Sequence, residues 1–146
     1  MKTAIVYYSQ HHENTRKIVE AIARENDVTF INVTEGSDTD LSRYDRIGFA
    51  SGIYFSNMAK PLQEYAEAHL PARKKVFFIA TCGMIRKNYF NSMKEIAREK
   101  KCRLIGGFMC KGFDTFGPFR FIGGIAKKHP NEKDIKKALE FYKSLG

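Results

Sequence analysis

Apolar positions along the chain follow two alternating rhythms. Thr3 to Ser9 is a near-continuous apolar run, the mark of a strand covered on both faces. Asn14 to Glu25 follows, with Ile18, Val19, Ile22 and Ala23 recurring as a helical stripe. Val28 to Val33 reads as a second strand, Glu35 to Tyr44 as a polar connection with one helical turn, and Asp45 to Ser51, around Ile47-Gly48-Phe49-Ala50, as a third strand. A second helix is expected from about Asn57 to His69, with Met58, Leu62 and Tyr65 on one face. Pro61 fits only in its first turn. Val76 to Thr81 and Leu104 to Cys110 are the fourth and fifth strands, and between them a helix from Tyr89 to Lys100 carries Phe90, Met93, Ile96 and Ala97. The last helix is expected from Glu132 to about Leu145, with Ile135, Leu139 and Tyr142 inward and Asn131 as its N-cap.

Five strands alternating with helices imply a five-stranded parallel sheet with right-handed crossovers and helices on both faces, a three-layer α/β/α sandwich. Two doubly wound orders compete, 2-1-3-4-5 and half of a dinucleotide-binding fold. A GxGxxG fingerprint is absent after the first strand, which leaves 2-1-3-4-5. A length of 146 residues, 43% of them hydrophobic, suits one complete core, so residues 1–146 are expected to form a single domain.

In an open parallel sheet of this order, ligands bind outside the carboxyl ends of the strands, in the crevice between strands one and three. Three segments meet there: Ser9-Gln10-His11-His12-Glu13-Asn14-Thr15, Ser51-Gly52-Ile53-Tyr54-Phe55-Ser56 and Thr81-Cys82-Gly83-Met84. The first runs from strand through a tight polar loop into a helix. It aims backbone N–H groups at the positive end of the helix dipole, which suits a phosphate, and Ser9, Asn14 and Thr15 add side-chain donors. The other two suit the clamping of a flat heteroaromatic ring: glycines allow close backbone approach, and Tyr54, Phe55 and Met84 supply apolar contact.

The first segment resembles the phosphate loop of flavodoxins, in which Ser/Thr-x-Thr-Gly-x-Thr follows a strand. The resemblance extends over essentially the whole chain and implies the flavodoxin-like order of strands. It also implies a non-covalently bound FMN whose isoalloxazine shuttles electrons. Carried over by position, Ser9, Asn14 and Thr15 would hold the phosphate, within the loop of Gln10, His11, His12 and Glu13. Ser51, Gly52, Ile53, Tyr54 and Phe55 would lie on one side of the ring, with Gly52 the flexible backbone near flavin N5. Thr81, Cys82, Gly83 and Met84 would lie on the other. The implied function is an electron carrier between a donor enzyme and an acceptor.

Three departures from the family pattern stand in the sequence. The loop is one residue longer between Ser9 and Thr15, and Glu13 stands where the family has glycine. A carboxylate about 4 Å from a phosphate costs roughly 1 kcal/mol per pair of unit charges in water and several times more near a protein surface. Protonated His11 or His12, or an outward-pointing Glu13, would lower that cost. The Ser51–Ser56 segment lacks the acidic, tryptophan-bearing character common in the carriers. Finally, the carriers are acidic, whereas this chain has a net charge of +9.

The charge is unevenly placed. Residues 1–70 hold 7 Lys/Arg against 10 Asp/Glu, and residues 71–146 hold 18 against 6. The basic half suits an acidic redox partner, or serves only as a solubilising surface. Lys94, Arg98 and Lys101, like Lys133, Lys136, Lys137 and Lys143, read as solvated helix faces. Neither a nucleic-acid module nor an apolar run of about 18 residues is present, so neither nucleic-acid binding nor a membrane span is expected. Three cysteines without CxxC spacing and a start that turns polar after Ser9 favour the cytoplasm.

Other signals are weaker. His11-His12 has no partner at metal-ligand spacing, so no metal is expected. Ser9 near His11 lacks the elbow and orienting acid of a hydrolase, and no GxxxxGK[ST] run marks a nucleotide hydrolase. Cys82 reads as a small buried thiol. Gly112 to Lys128 carries Phe113, Phe116, Phe119 and Phe121, expected either to pack over the edge strand or to form a lid or docking wall beside the flavin. Two further functions stay open. One is an FMN oxidoreductase acting on a quinone or porphyrinogen, because Gly52-Ile53-Tyr54-Phe55 faintly resembles the loop of flavodoxin-like porphyrinogen oxidases. The other is a flavin-free binding module disabled by Glu13.

Overall fold

The computed structural model describes residues 1–9, 13–36, 39–112 and 128–146. The sheet contains β1 (Thr3–Tyr8), β2 (Val28–Asn32), β3 (Arg46–Tyr54), β4 (Asn57–Met58), β5 (Lys75–Cys82) and β6 (Arg103–Lys111). The helices are α1 (Asn14–Glu25), α2 (Lys60–His69), α3 (Asn91–Glu99) and α4 (Glu132–Ser144). The five long strands run parallel in the order β2-β1-β3-β5-β6, the 2-1-3-4-5 order read from the sequence.

Alternation of side chains sends the sheet's apolar residues to two cores. On one face Val6, Phe49 and Phe78 meet Leu62 of α2 and Met93 and Ile96 of α3. On the other, Ile5, Phe77 and Ile79 meet Ile18 and Ile22 of α1 and Ala138 and Tyr142 of α4. Each fully buried large apolar side chain contributes about 1.5–3 kcal/mol, so the two cores hold the three layers together. The edge strands β2 and β6 are only partly covered, and β6 is bounded by the exposed cations Arg103 and Lys111.

Several boundaries differ from the sequence reading. Strand β3 continues past Ser51 to Tyr54, turns at Phe55-Ser56 and returns antiparallel as β4, pairing Ile53 with Met58 and Tyr54 with Asn57. Helix α2 therefore begins at Lys60 rather than Asn57, with Pro61 in its first turn as required. Met58 packs in the core from β4, not from the helix. Phe90 packs from a 3-10 turn, Lys87–Phe90, that precedes α3. The polar connection before β3 holds two 3-10 turns, Val33–Glu35 and Leu41–Arg43. At α4 the expected N-cap is present: the Asn131 side chain accepts from the Asp134 N–H at 3.0 Å, and the Asp134 carboxylate accepts from the Asn131 N–H at 2.8 Å.

Candidate functional site

The carboxyl ends of β1, β3, β5 and β6 and the first turn of α1 converge on one end of the sheet. Gln10, His11 and His12 lie outside the described residues, as does the segment 113–127 with its four phenylalanines. Ser9 and Glu13, which flank the loop, are described. The Arg16 N–H, one of the donors left open at the helix start, donates to Ser9 Oγ at 3.2 Å. Ser9 thus caps α1 from across the loop.

Glu13 occupies the N-cap position in the left-handed region (φ 52°, ψ 36°) and makes no side-chain cap. This is the conformation glycine adopts without strain. The Glu13 side chain is 61% exposed and its carboxylate lies 3.8 Å from Arg16 Nη1. Arg16 in turn donates through Nε to Glu20 at 2.7 Å, a hydrogen bond that holds its guanidinium above its ordinary pKa. The Glu13 carboxylate is therefore exposed to solvent and within reach of a cation.

Asn14 and Thr15 are buried, at 7% and 1% exposure. Thr15 Oγ1 lies 2.9 Å from Thr81 Oγ1, so the start of α1 is tied directly to the end of β5. Gly112, which follows β6, donates its N–H to the Cys82 carbonyl at 2.9 Å. A Cβ on Gly112 would sit 2.9 Å from the Asn14 Cβ, so only glycine lets the end of β6 approach the loop this closely. Gly112 belongs to the site by contact; in the sequence it reads only as the start of the phenylalanine-rich stretch.

The Ser51–Phe55 segment divides into parts with different tasks. Ser51 is fully buried: its hydroxyl accepts from the Ala59 N–H at 3.0 Å and donates to the Gly52 carbonyl at 2.6 Å, holding the start of α2 against β3. Gly52 pairs with Thr81, and a Cβ there would meet nothing nearer than Tyr54 Oη at 3.4 Å. The Tyr54 ring therefore lies in ordinary contact over the Gly52 backbone, leaving room for a Cβ without a clash. Tyr54 packs edge-on against Tyr8 with ring centres 6.1 Å apart, at the carboxyl ends of β1 and β3, while Ile53 is half-buried. Phe55 projects from the β3–β4 turn at 85% exposure.

Cys82, which ends β5, and Gly83 are buried, and Met84 and Ile85 are exposed. The Tyr89 hydroxyl donates to the Met84 carbonyl at 2.9 Å and fixes that turn. The Cys82 thiol points back to the Cys110 carbonyl at 3.7 Å. Burial pushes the neighbouring Cys110 thiol up to about 12, so it stays protonated. Among the described residues no group of three or more His, Cys, Asp or Glu side chains could hold a metal ion, and no helix is long and apolar enough to cross a membrane.

The residues present fit a phosphate joined to a flat ring. The start of α1 adjoins, through Thr15 and Thr81, the end of β5, which pairs with Gly52 beneath the Tyr54 ring, itself packed against Tyr8. Comparison with known proteins agrees with this architecture. Residues 5–111 match the model of the flavodoxin domain. An uncharacterized protein of Methanocaldococcus jannaschii is 39% identical over 147 residues, covering 99% of this chain and 98% of its own. A flavodoxin from the domain Archaea superposes with a TM-score of 0.66 at 18% identity, over 98% of each chain. A flavoprotein from Lactobacillus acidophilus, solved in complex with FMN, superposes with a TM-score of 0.59 at 22% identity, over 74% of this chain and 92% of that one.

Proposed function

The chain belongs to the flavodoxin family, and on that premise we propose that it holds FMN at the carboxyl ends of β1, β3 and β5 and carries electrons between a donor enzyme and an acceptor protein. FMN supplies, when bound, a ring that takes up and releases one or two electrons. The observation that carries the reading is the Thr15–Thr81 hydrogen bond, which joins the helix start suited to a phosphate to the strand end suited to a ring.

In this reading Ser9, Asn14 and Thr15, with the loop of Gln10, His11, His12 and Glu13, hold the phosphate. Gly52, Ile53, Tyr54 and Phe55 flank the ring on one side and Cys82, Gly83 and Met84 on the other. Ser51 and Thr81, whose hydroxyls are engaged within the protein, contribute backbone. Phe55, Met84 and Ile85 give this end an exposed apolar surface, and the exposed Arg86, Lys87 and Lys111 add positive charge to it. That combination supports docking on an acidic partner, with a rate that falls as salt rises. Three free cysteines support a reducing compartment, the cytoplasm.

The test is titration of the apo-protein with FMN, followed by flavin fluorescence and the visible spectrum. Quenching with micromolar or tighter affinity is expected. Failure of both the native chain and a Glu13→Gly variant to bind would remove the flavin reading. The same exposed apolar surface favours a second reading, a wall for a small substrate such as a quinone; turnover with a quinone and no protein partner would select it.

A further inference from the structure

The amino-terminal edge of the sheet, opposite the end where the loops converge, carries its own concentration of positive charge. Arg46, Lys75 and Arg103 open β3, β5 and β6 and are register partners across the three strands. Partners in a parallel ladder project to the same face, here the one covered by α1 and α4. Arg46 follows that direction. Its Nε donates to Thr3 Oγ1 at 3.1 Å, its Nη2 donates to the Tyr142 hydroxyl at 3.0 Å, and its guanidinium carbon stands 5.1 Å from the Tyr142 ring centre.

A cavity of about 340 Å³ opens at this edge, lined by all three cations with Ile105, Leu145 and the last residue, Gly146, among its other walls, and with no Asp or Glu side chain. Arg46 is only 7% exposed, and its Nη1 is buried with no hydrogen-bond partner. None of the three cations forms an ion pair among the described residues. A buried guanidinium ordinarily has its charge and its donors met. Here the ring and two hydroxyls meet part of the requirement, and the neighbouring strands add two more cations instead of a carboxylate.

We propose that this cavity is an anion site for a tetrahedral phosphate dianion, free or as the end group of a small phosphomonoester, with Arg46 as its buried floor and Lys75 and Arg103 as exposed arms. The planar fork of arginine suits phosphate oxygens, and lysine adds a mobile point charge. The volume is on the scale of small-ligand pockets. This site is at the other edge from the loops and does not depend on the flavin reading.

The test is calorimetric titration of the full chain with inorganic phosphate, in the native form and as a Lys75→Gln/Arg103→Gln double variant. Both side chains are exposed, so the variant is expected to fold; its circular dichroism and melting curve check this. Saturable binding is expected in the native chain, weakened about tenfold or more in the variant, with the FMN titration of the two proteins superimposable. Phenyl phosphate binding more tightly than inorganic phosphate would identify a monoester ligand, and equal binding a free phosphate; both support the site. Phosphate binding unchanged in the double variant would place the anion elsewhere, at the start of α1, and overturn the proposal. So would the lack of saturable binding by the native chain.

Discussion

The hydroxyls of Thr15 and Thr81 lie 2.9 Å apart in a buried contact between the first turn of α1 and the last turn of sequence in β5. One hydrogen bond therefore connects two of the three segments that shape the candidate site. Thr81→Val removes one hydroxyl and leaves the other buried and unmatched, a change expected to cost about 1–3 kcal/mol in urea denaturation and to weaken FMN binding. Adding Thr15→Val should cost less than the sum of the two single changes, because the second removes the orphan that the first creates. Full additivity would mean that the contact is not made in solution.

Two glycines of β3 are expected to respond oppositely to the same substitution. A Cβ on Gly48 would lie 2.4 Å from the ring of Phe77, its register partner in β5, whereas one on Gly52 meets only ordinary contact distances. Gly48→Ala should destabilise by about 1–3 kcal/mol through overpacking. Gly52→Ala should leave the melting temperature nearly unchanged and weaken the FMN titration. Flavin binding that is indifferent to Gly52→Ala would move the ring away from this strand.

The turn between β3 and β4 places Phe55 and Ser56 at φ 51° and 65°, both left-handed. A left-handed residue other than glycine costs about 1–2 kcal/mol. Ser56→Gly should therefore stabilise the chain by up to about 1 kcal/mol after the extra freedom of the unfolded chain is deducted. A lowered midpoint in a denaturant melt would show that the turn adopts another conformation.

Cys110 supplies a dependence on pH. Burial raises its thiol from 9.0 to about 12, so the unfolded chain gives up this proton first. The contribution is fully present below pH 9 and is lost as pH rises from there towards 12. Stability should fall over that window, and Cys110→Ala should remove part of the slope in denaturant melts at a series of pH values. The native thiol should also resist alkylation at pH 8 until the protein unfolds.

How far the sequence could be read follows from which signals are local. Helix α1 declared itself through Ile18, Val19 and Ile22, and α4 through the Asn131 cap, because stripe and cap lie within one element. The parallel sheet followed from alternation and its strand order from the absence of GxGxxG after the first strand, and strand ends then named the three segments of the site. The β3–β4 hairpin stayed hidden because Phe55-Ser56 has none of the Asn-Gly chemistry that marks a tight turn, so Gly52 to Ser56 read as loop. The engagement of Ser51 was equally invisible, since its partner, the Ala59 N–H, is brought to it only by that hairpin. The approach of Glu13 to Arg16 depends on its backbone angle, and the closeness of Gly112 to Asn14 joins residues 98 positions apart in the chain. Such relations exist only after folding.

The cations that bound β6 have a bearing on self-association. On its outer side no described strand pairs with it, which makes it the natural template for strand addition. A second copy laid antiparallel along it, with Gly107 facing Gly107, would set Arg103 opposite Lys111 at each end. Like charges directly opposite one another disfavour that ladder, and two glycines at its centre offer no side chains to zip together. The strand carries, in its own two ends, an impediment to edge-to-edge polymerisation.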